Sequence, residues 1–127
     1  MKQLLTISLF SLFLMACSSS DTATVNQVSP IESAGLQSND FAVIIDVRSD
    51  SEWKGQRIPG AVHIPLSELK GRMDELKSFE GKQLIMQCAV GGRSSKAVEI
   101  LQHAGFTNVS NMNGGLVAWQ KANLPIE

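Results

Sequence analysis

The sequence predicts an α/β fold of three layers, a five-stranded and mostly parallel sheet flanked by helices. Three observations carry this. From Val25 onward, short apolar runs alternate with helical patterns. The run Phe41-Ala42-Val43-Ile44-Ile45 is unbroken and β-branched, as expected of a strand covered on both faces. The chain has 127 residues, 43% hydrophobic and 18% charged, which suits one modest globular domain and excludes a disordered protein. Eleven Lys and Arg against twelve Asp and Glu leave a net charge of −1, so no nucleic-acid partner is expected.

Taken in order, Val25 to Val28 reads as a weak first strand. Ser29-Pro30-Ile31-Glu32 then has an N-cap serine, a proline at the first helical position and a glutamate at N3, a strong helix start. The apolar run from Phe41 forms the second strand and ends at Asp46-Val47-Arg48, with a short helix expected around Ser51 to Lys54. Ile58-Pro59-Gly60-Ala61 makes a turn into a brief strand, Val62-His63-Ile64. Ser67 to Lys77 is helical in pattern but carries Gly71, which predicts two short pieces. Gln83 to Gln87 is the next strand. In Ser94 to Ala104, residues Ala97, Ile100, Leu101 and Ala104 share one helical face, and Gly105-Phe106 supplies the stop. Val109 to Met112 is the last strand, followed by Gly114-Gly115 and a helix around Leu116 to Ala122.

The N-terminal segment has a different character. After Lys2, the twelve residues Leu4 to Met15 include nine apolar side chains, too short to span a bilayer but suited to a secretory signal. They run into Leu14-Met15-Ala16-Cys17, which resembles the bacterial lipobox. That resemblance implies a signal peptide over residues 1–16, a lipidated Cys17 opening a polar tether over 17–24, and a folded domain over 25–127. It also implies a periplasm-facing lipoprotein of the bacterial cell envelope. By resemblance to enteric lipoproteins, Ser18 after the cysteine, in place of aspartate, implies the outer membrane. Several acyl chains matter physically, because a single chain holds a protein to a membrane only marginally.

Of the two cysteines, that leaves Cys88 without a partner in a compartment where disulfides form. Such a thiol is either buried and inert or kept for its reactivity. Cys88 directly follows a predicted strand, and Ala89-Val90-Gly91-Gly92-Arg93 leads into a helix. Ligands bind at the carboxyl ends of strands in open α/β sheets. Unpaired amides at a helix start, with glycines that let a loop curl inward, favour an anion. A thiolate there is expected to have a depressed pKa and to be nucleophilic. Arg93 adds a cation at the rim, and Ser94 either joins the amides or caps the helix. On position alone, a buried structural cysteine before a glycine-rich turn remains equally open.

The loop Cys88-Ala89-Val90-Gly91-Gly92-Arg93-Ser94 resembles the six-residue active-site loop of rhodanese (thiosulfate sulfurtransferase) domains. Other family marks follow in order: Asp46-Val47-Arg48, Glu52-Trp53, Ile58-Pro59-Gly60-Ala61, Ile64-Pro65, Ala104-Gly105-Phe106, Asn108-Val109, Gly114-Gly115, Ala118-Trp119 and Leu124-Pro125. The resemblance implies a rhodanese-like fold and a sulfurtransferase. Cys88 would be its catalytic residue, and Ala89, Val90, Gly91, Gly92, Arg93 and Ser94 its substrate loop. No cofactor is implied, because the transferred sulfur rides on the cysteine. A small-molecule sulfane-sulfur donor such as thiosulfate, and a thiol or cyanide acceptor, are the expected partners of a monomeric protein. Asp46 and Arg48 are expected to be structural, with Arg48 paired to Glu52 across the turn. Trp119 and Phe106 are expected in the core. His63 and His103 have no second ligand at metal-binding spacing, so no metal site is expected.

Two departures bear on chemistry. Gln56-Arg57 replaces the Gly-His that often precedes the Ile-Pro-Gly-Ala turn. Ala89 and Val90 stand where some thiosulfate-using relatives place cations, which argues against a dianion as the natural donor. Two alternatives to the enzyme remain: a persulfide carrier acting with a partner protein, and a phosphatase of similar fold. The phosphatases have five residues between cysteine and arginine, whereas four, Ala89 to Gly92, stand here. The shorter loop suits a single sulfur better than a phosphate.

Overall fold

The computed structural model describes residues 24–127; the expected signal peptide, Cys17 and nearly all of the tether lie outside the described residues. The elements run β1 (Gln27–Val28), α1 (Pro30–Ser38), β2 (Ala42–Asp46), α2 (Asp50–Gly55), β3 (Val62–His63), a 3₁₀ helix (Leu66–Gly71), α3 (Met73–Lys77), β4 (Gln83–Gln87), α4 (Gly92–His103), β5 (Val109–Met112) and α5 (Gly115–Lys121). The five strands form one sheet in the order β1-β5-β4-β2-β3, and every neighbouring pair is parallel. The expected α/β architecture stands, with a sheet that is wholly parallel.

Side chains alternate across the strands and feed two cores. On one face Ile45, Leu84, Met86 and Val109 pack against Leu69, Leu76, Ala97, Val98 and Leu101 from the 3₁₀ helix, α3 and α4. On the other, Ile44, Ile85 and Met112 meet Leu116 and Trp119 of α5, with Ala34 and Leu36 of α1 at the margin. Burying each such aliphatic side chain contributes about 1.5–3 kcal/mol, so β2 and β4, loaded on both faces, are the firmest part of the sheet. Both deliver their C-terminal ends to the same side of it, in register from Ala42–Gln83 to Asp46–Gln87.

Several boundaries differ from expectation for local reasons. Phe41 is 65% exposed and lies outside β2. Its amide donates to the Leu36 carbonyl and its carbonyl accepts from Gln83, so the backbone is anchored while the ring points outward. β1 shrinks to an edge pair beside β5. The break expected at Gly71 falls there, between the 3₁₀ helix and α3. Helix α4 begins at Gly92, two residues before the expected Ser94, because Gly91 takes φ +110° and acts as the N-cap. That early start places Arg93 and Ser94 inside the first turn.

Candidate active site

Cys88 follows the last residue of β4 and is only 1% exposed. Gly91, which alone among residue types adopts its conformation without strain, folds the loop back over the sulfur. Two donors reach Cys88 Sγ: the Gly91 amide at 3.1 Å and the Ser94 hydroxyl at 3.3 Å. Burial pushes the thiol up. The Ser94 hydroxyl and the amides of Ser94, Gly91 and Val90 outweigh it, and the thiol lies below its ordinary value. These are the unpaired amides of a helix start turned on one atom, where they stabilise a sulfur anion. Ser94 is therefore a thiolate donor and not a cap. Ala89 is half-buried, whereas Val90 and Gly92 face solvent.

The loop is held from behind by α5. The Leu116 amide donates to the Cys88 carbonyl at 2.8 Å and the Val117 amide to the Ala89 carbonyl at 3.1 Å. With those carbonyls drawn toward α5, the amides that follow are free to face Sγ. This approach needs Gly115, at φ +59°: a Cβ there would collide with the Cys88 carbonyl oxygen and lie 2.6 Å from the Ala89 carbonyl group. The Gly114-Gly115 pair was visible in the sequence, but nothing there linked it to Cys88.

Arg93 does not stand as a free cation. Its Nη1 donates to Glu52 Oε1 at 2.6 Å and its Nη2 to Glu52 Oε2 at 2.9 Å, a two-pronged ion pair linking α4 to α2. The Arg93 hydrogen bonds, together with those from Ser49 and against the opposing effect of burial, bring the Glu52 carboxyl down to about 2. The Glu52 carboxylate holds the guanidinium above its ordinary value, against the effect of burial, with a lesser contribution from the Cys88 thiolate. Glu52 is oriented by a capping box at the start of α2, with its Oε1 accepting from the Ser49 hydroxyl at 2.9 Å.

This arrangement corrects the expected Arg48–Glu52 pair. Arg48 turns back onto Asp46 instead: its Nε lies 3.0 Å from both carboxylate oxygens and its Nη2 lies 2.8 Å from Oδ2. The two residues leave β2 together and are both buried, so the nearest carboxylate takes the guanidinium. Nη2 also donates to the Gln56 carbonyl at 2.6 Å, tying down the C-terminal end of α2. Asp46 and Arg48 form a buried ion pair at the end of β2. Fixing α2 is what brings Glu52 to Arg93.

His63 stacks on Trp53 with ring centroids 4.7 Å apart, and its Nε2 lies 2.8 Å from the Arg48 carbonyl. Arg57 lies across the same tryptophan ring, 5.0 Å from its centroid. Gln56 and Arg57, which replace the family's Gly-His, are thereby built into the support of α2. Trp119 is in the core, with its indole N–H on the Pro125 carbonyl; Phe106 is half-buried against the α4 side. Among the described residues, no group of three or more His, Cys, Asp or Glu is placed to hold a metal ion.

The rhodanese-like domain family matches residues 30–122, which include the loop, Asp46, Arg48 and Glu52. The chain belongs to the rhodanese-like family. An uncharacterized protein of Synechocystis sp. is 34% identical over 106 residues, 84% of this chain and 58% of that protein, so the chain spans less than two thirds of this relative's length. A sulfurtransferase of Allochromatium vinosum is 30% identical over 91 residues, covering 72% of this rhodanese-like chain and 83% of that one. The crystal structure of a thiosulfate sulfurtransferase from Pseudomonas aeruginosa superposes with a TM-score of 0.75 at 28% identity, over 81% of this chain and 20% of that one. This rhodanese-like domain thus has relatives named as sulfurtransferases.

Proposed function

We propose that the domain is a sulfurtransferase that carries sulfane sulfur on Cys88 as a persulfide. The observation that carries this reading is the convergence of the Gly91 amide and the Ser94 hydroxyl on Cys88 Sγ. With thiosulfate, the Cys88 thiolate bonds to the outer sulfur, the donor S–S bond breaks, and sulfite leaves with the electron pair. The terminal sulfur of the persulfide then passes to cyanide or a thiol, and the thiolate is regenerated. No electrons are gained or lost overall. The amides that lower the thiol pKa also stabilise the anionic terminal sulfur. The ring of donors closes on a single atom, which favours sulfur over a phosphoryl group.

The test is mass spectrometry of the chain after exposure to thiosulfate. One added sulfur on Cys88, lost on treatment with cyanide and absent from Cys88→Ser, is expected; an unmodified Cys88 would refute the reading. The likeness of residues 14–17 to a lipobox supports a lipid anchor on Cys17 and a periplasm-facing place on the outer membrane. Cys17→Ser is then expected to leave the membrane fraction, and unchanged detergent partitioning of that variant would contradict it.

A further inference from the structure

The two poles of the sheet differ in what they offer. All five strands are parallel, so their C-terminal ends and the Cys88 loop lie at one pole, the mouth, and their N-terminal ends lie at the other, the base. The described chain enters at the base. Thr24 precedes β1, and its carbonyl accepts from Gln102 Nε2 at 3.5 Å, in the last turn of α4. Helix α4 starts at the Cys88 loop, and its twelve residues lead about 18 Å away from it. Phe41, at the start of β2, is 65% exposed at the base. Beside it, an open cavity of about 460 Å³ between the starts of β4 and β5 is lined in part by Leu76, Phe79, Leu84, Phe106 and Val109. Lys77 and Lys82 at its edge are paired with Asp74 and Asp40 at 2.8 and 2.7 Å, so contact made there is apolar more than ionic.

We propose that the base is a bilayer-facing surface, lying on lipid while the Cys88 mouth points into the aqueous phase. This rests on the lipid anchor at Cys17 put forward above. From Cys17 to Thr24 there are seven residue steps, which reach at most about 25 Å when fully extended. Setting the base on the bilayer asks for almost none of that length. Setting the mouth on it would require the same residues to run back along α4, about 18 Å, and holding a chain nearly straight costs conformational entropy at every residue. The anchor decides between the poles, because Val90 at the mouth is 67% exposed and offers apolar surface too. With the base down, the Phe41 ring enters the headgroup region, as apolar side chains of surface-bound proteins do. Sulfur then reaches Cys88 from water-soluble molecules and leaves to them, and carriers dissolved in the membrane have no access.

The test uses the full lipidated chain in phosphatidylcholine vesicles. A small thiol-reactive fluorophore is placed on Phe41→Cys or on Val90→Cys, each combined with Cys88→Ser so that, with Cys17 lipidated, one free thiol takes the label. Both labelled positions are exposed, so neither change disturbs the core. Phosphatidylcholine with a nitroxide on its headgroup, which quenches on contact, should extinguish the label at position 41 and spare the label at position 90. Quenching at 90 as strong as at 41, or quenching at neither, would overturn the orientation. Mass spectrometry of the same samples separates the two readings. A Cys17 without acyl chains overturns the anchor and the proposal with it, whereas a lipidated chain with the wrong quenching pattern overturns the proposal alone.

Discussion

Ser94→Ala asks how much of the reactivity of Cys88 comes from one hydroxyl. Ser94 is buried in the first turn of α4 and its side chain caps nothing, so alanine removes the 3.3 Å contact to Sγ and leaves the helix intact. A hydrogen bond to a charged group is worth about 1.5–3 kcal/mol. A long contact to a diffuse sulfur belongs at the low end, and about 1.4 kcal/mol is a factor of ten in an equilibrium constant. The thiol of the variant titrates at higher pH, because burial, which pushes it up, is less well opposed. At a fixed pH below both midpoints, the thiolate fraction of the variant should fall about tenfold. Iodoacetamide alkylation of Cys88 across a pH series measures it. The rates should differ on the acid side and converge where both thiols are fully ionised. Superimposable profiles would refute the assignment of Ser94 as a thiolate donor, and a deficit that persists at high pH would point to a distorted loop.

The other predictions concern the supports of the site. Gly115→Ala should cost more than the about 1–2 kcal/mol of a left-handed alanine, because the new Cβ also collides with the Cys88 and Ala89 carbonyls, and it should lower sulfur transfer more than tenfold at temperatures where the fold persists. A variant as active as the parent would mean that α5 does not position the loop. Asp46→Ala leaves the buried Arg48 guanidinium without its carboxylate, and a loss of about 3–5 kcal/mol in urea unfolding is expected. Glu52 contributes through its depressed carboxyl: the stabilisation is complete above the ordinary value of 4.5 and drains as the pH falls from there toward about 2. Its side chain is 34% exposed and that of Arg93 41%, so screening should limit the effect to roughly 1 kcal/mol. Melting temperature followed from pH 5 downward should therefore fall more steeply for the parent than for Glu52→Gln.

What the sequence made legible follows from how far each interaction reaches. Hydrophobic runs and capping residues act over a few positions, which is why Gln83–Gln87 and Val109–Met112 were placed at their true ends. The Cys88 loop was legible for the same reason, as its donors come from within six residues. Spacing along the chain favours Arg48, four residues away, as the partner of Glu52, whereas the fold pairs it with Arg93, forty-one away. Only the pairing of β2 beside β4 brings α2 to the start of α4. The role of Gly114-Gly115 was hidden likewise, since a glycine pair reads as a turn until the Cys88 carbonyl is seen against it. Phe41 falls outside β2 because an apolar run does not state where burial begins.

The site therefore depends on supports that reach it from three directions. From behind, α5 draws the Cys88 and Ala89 carbonyls away from the sulfur. From beneath, β4 ends in register with β2, so the Asp46–Arg48 pair at the end of β2 lies beside the base of the loop. From the side, Arg48 pins α2 by the Gln56 carbonyl, and α2 carries the carboxylate that holds Arg93. Cys88 can be almost wholly buried and still ionise because the supports orient the donors before the thiol loses its proton, so little reorganisation is left to the reaction. The same reasoning separates two kinds of damage. Losing Ser94 should lower the thiolate fraction of a loop that keeps its shape, whereas losing Gly115 or Asp46 should change the shape itself. Only the first kind should be recoverable by raising the pH.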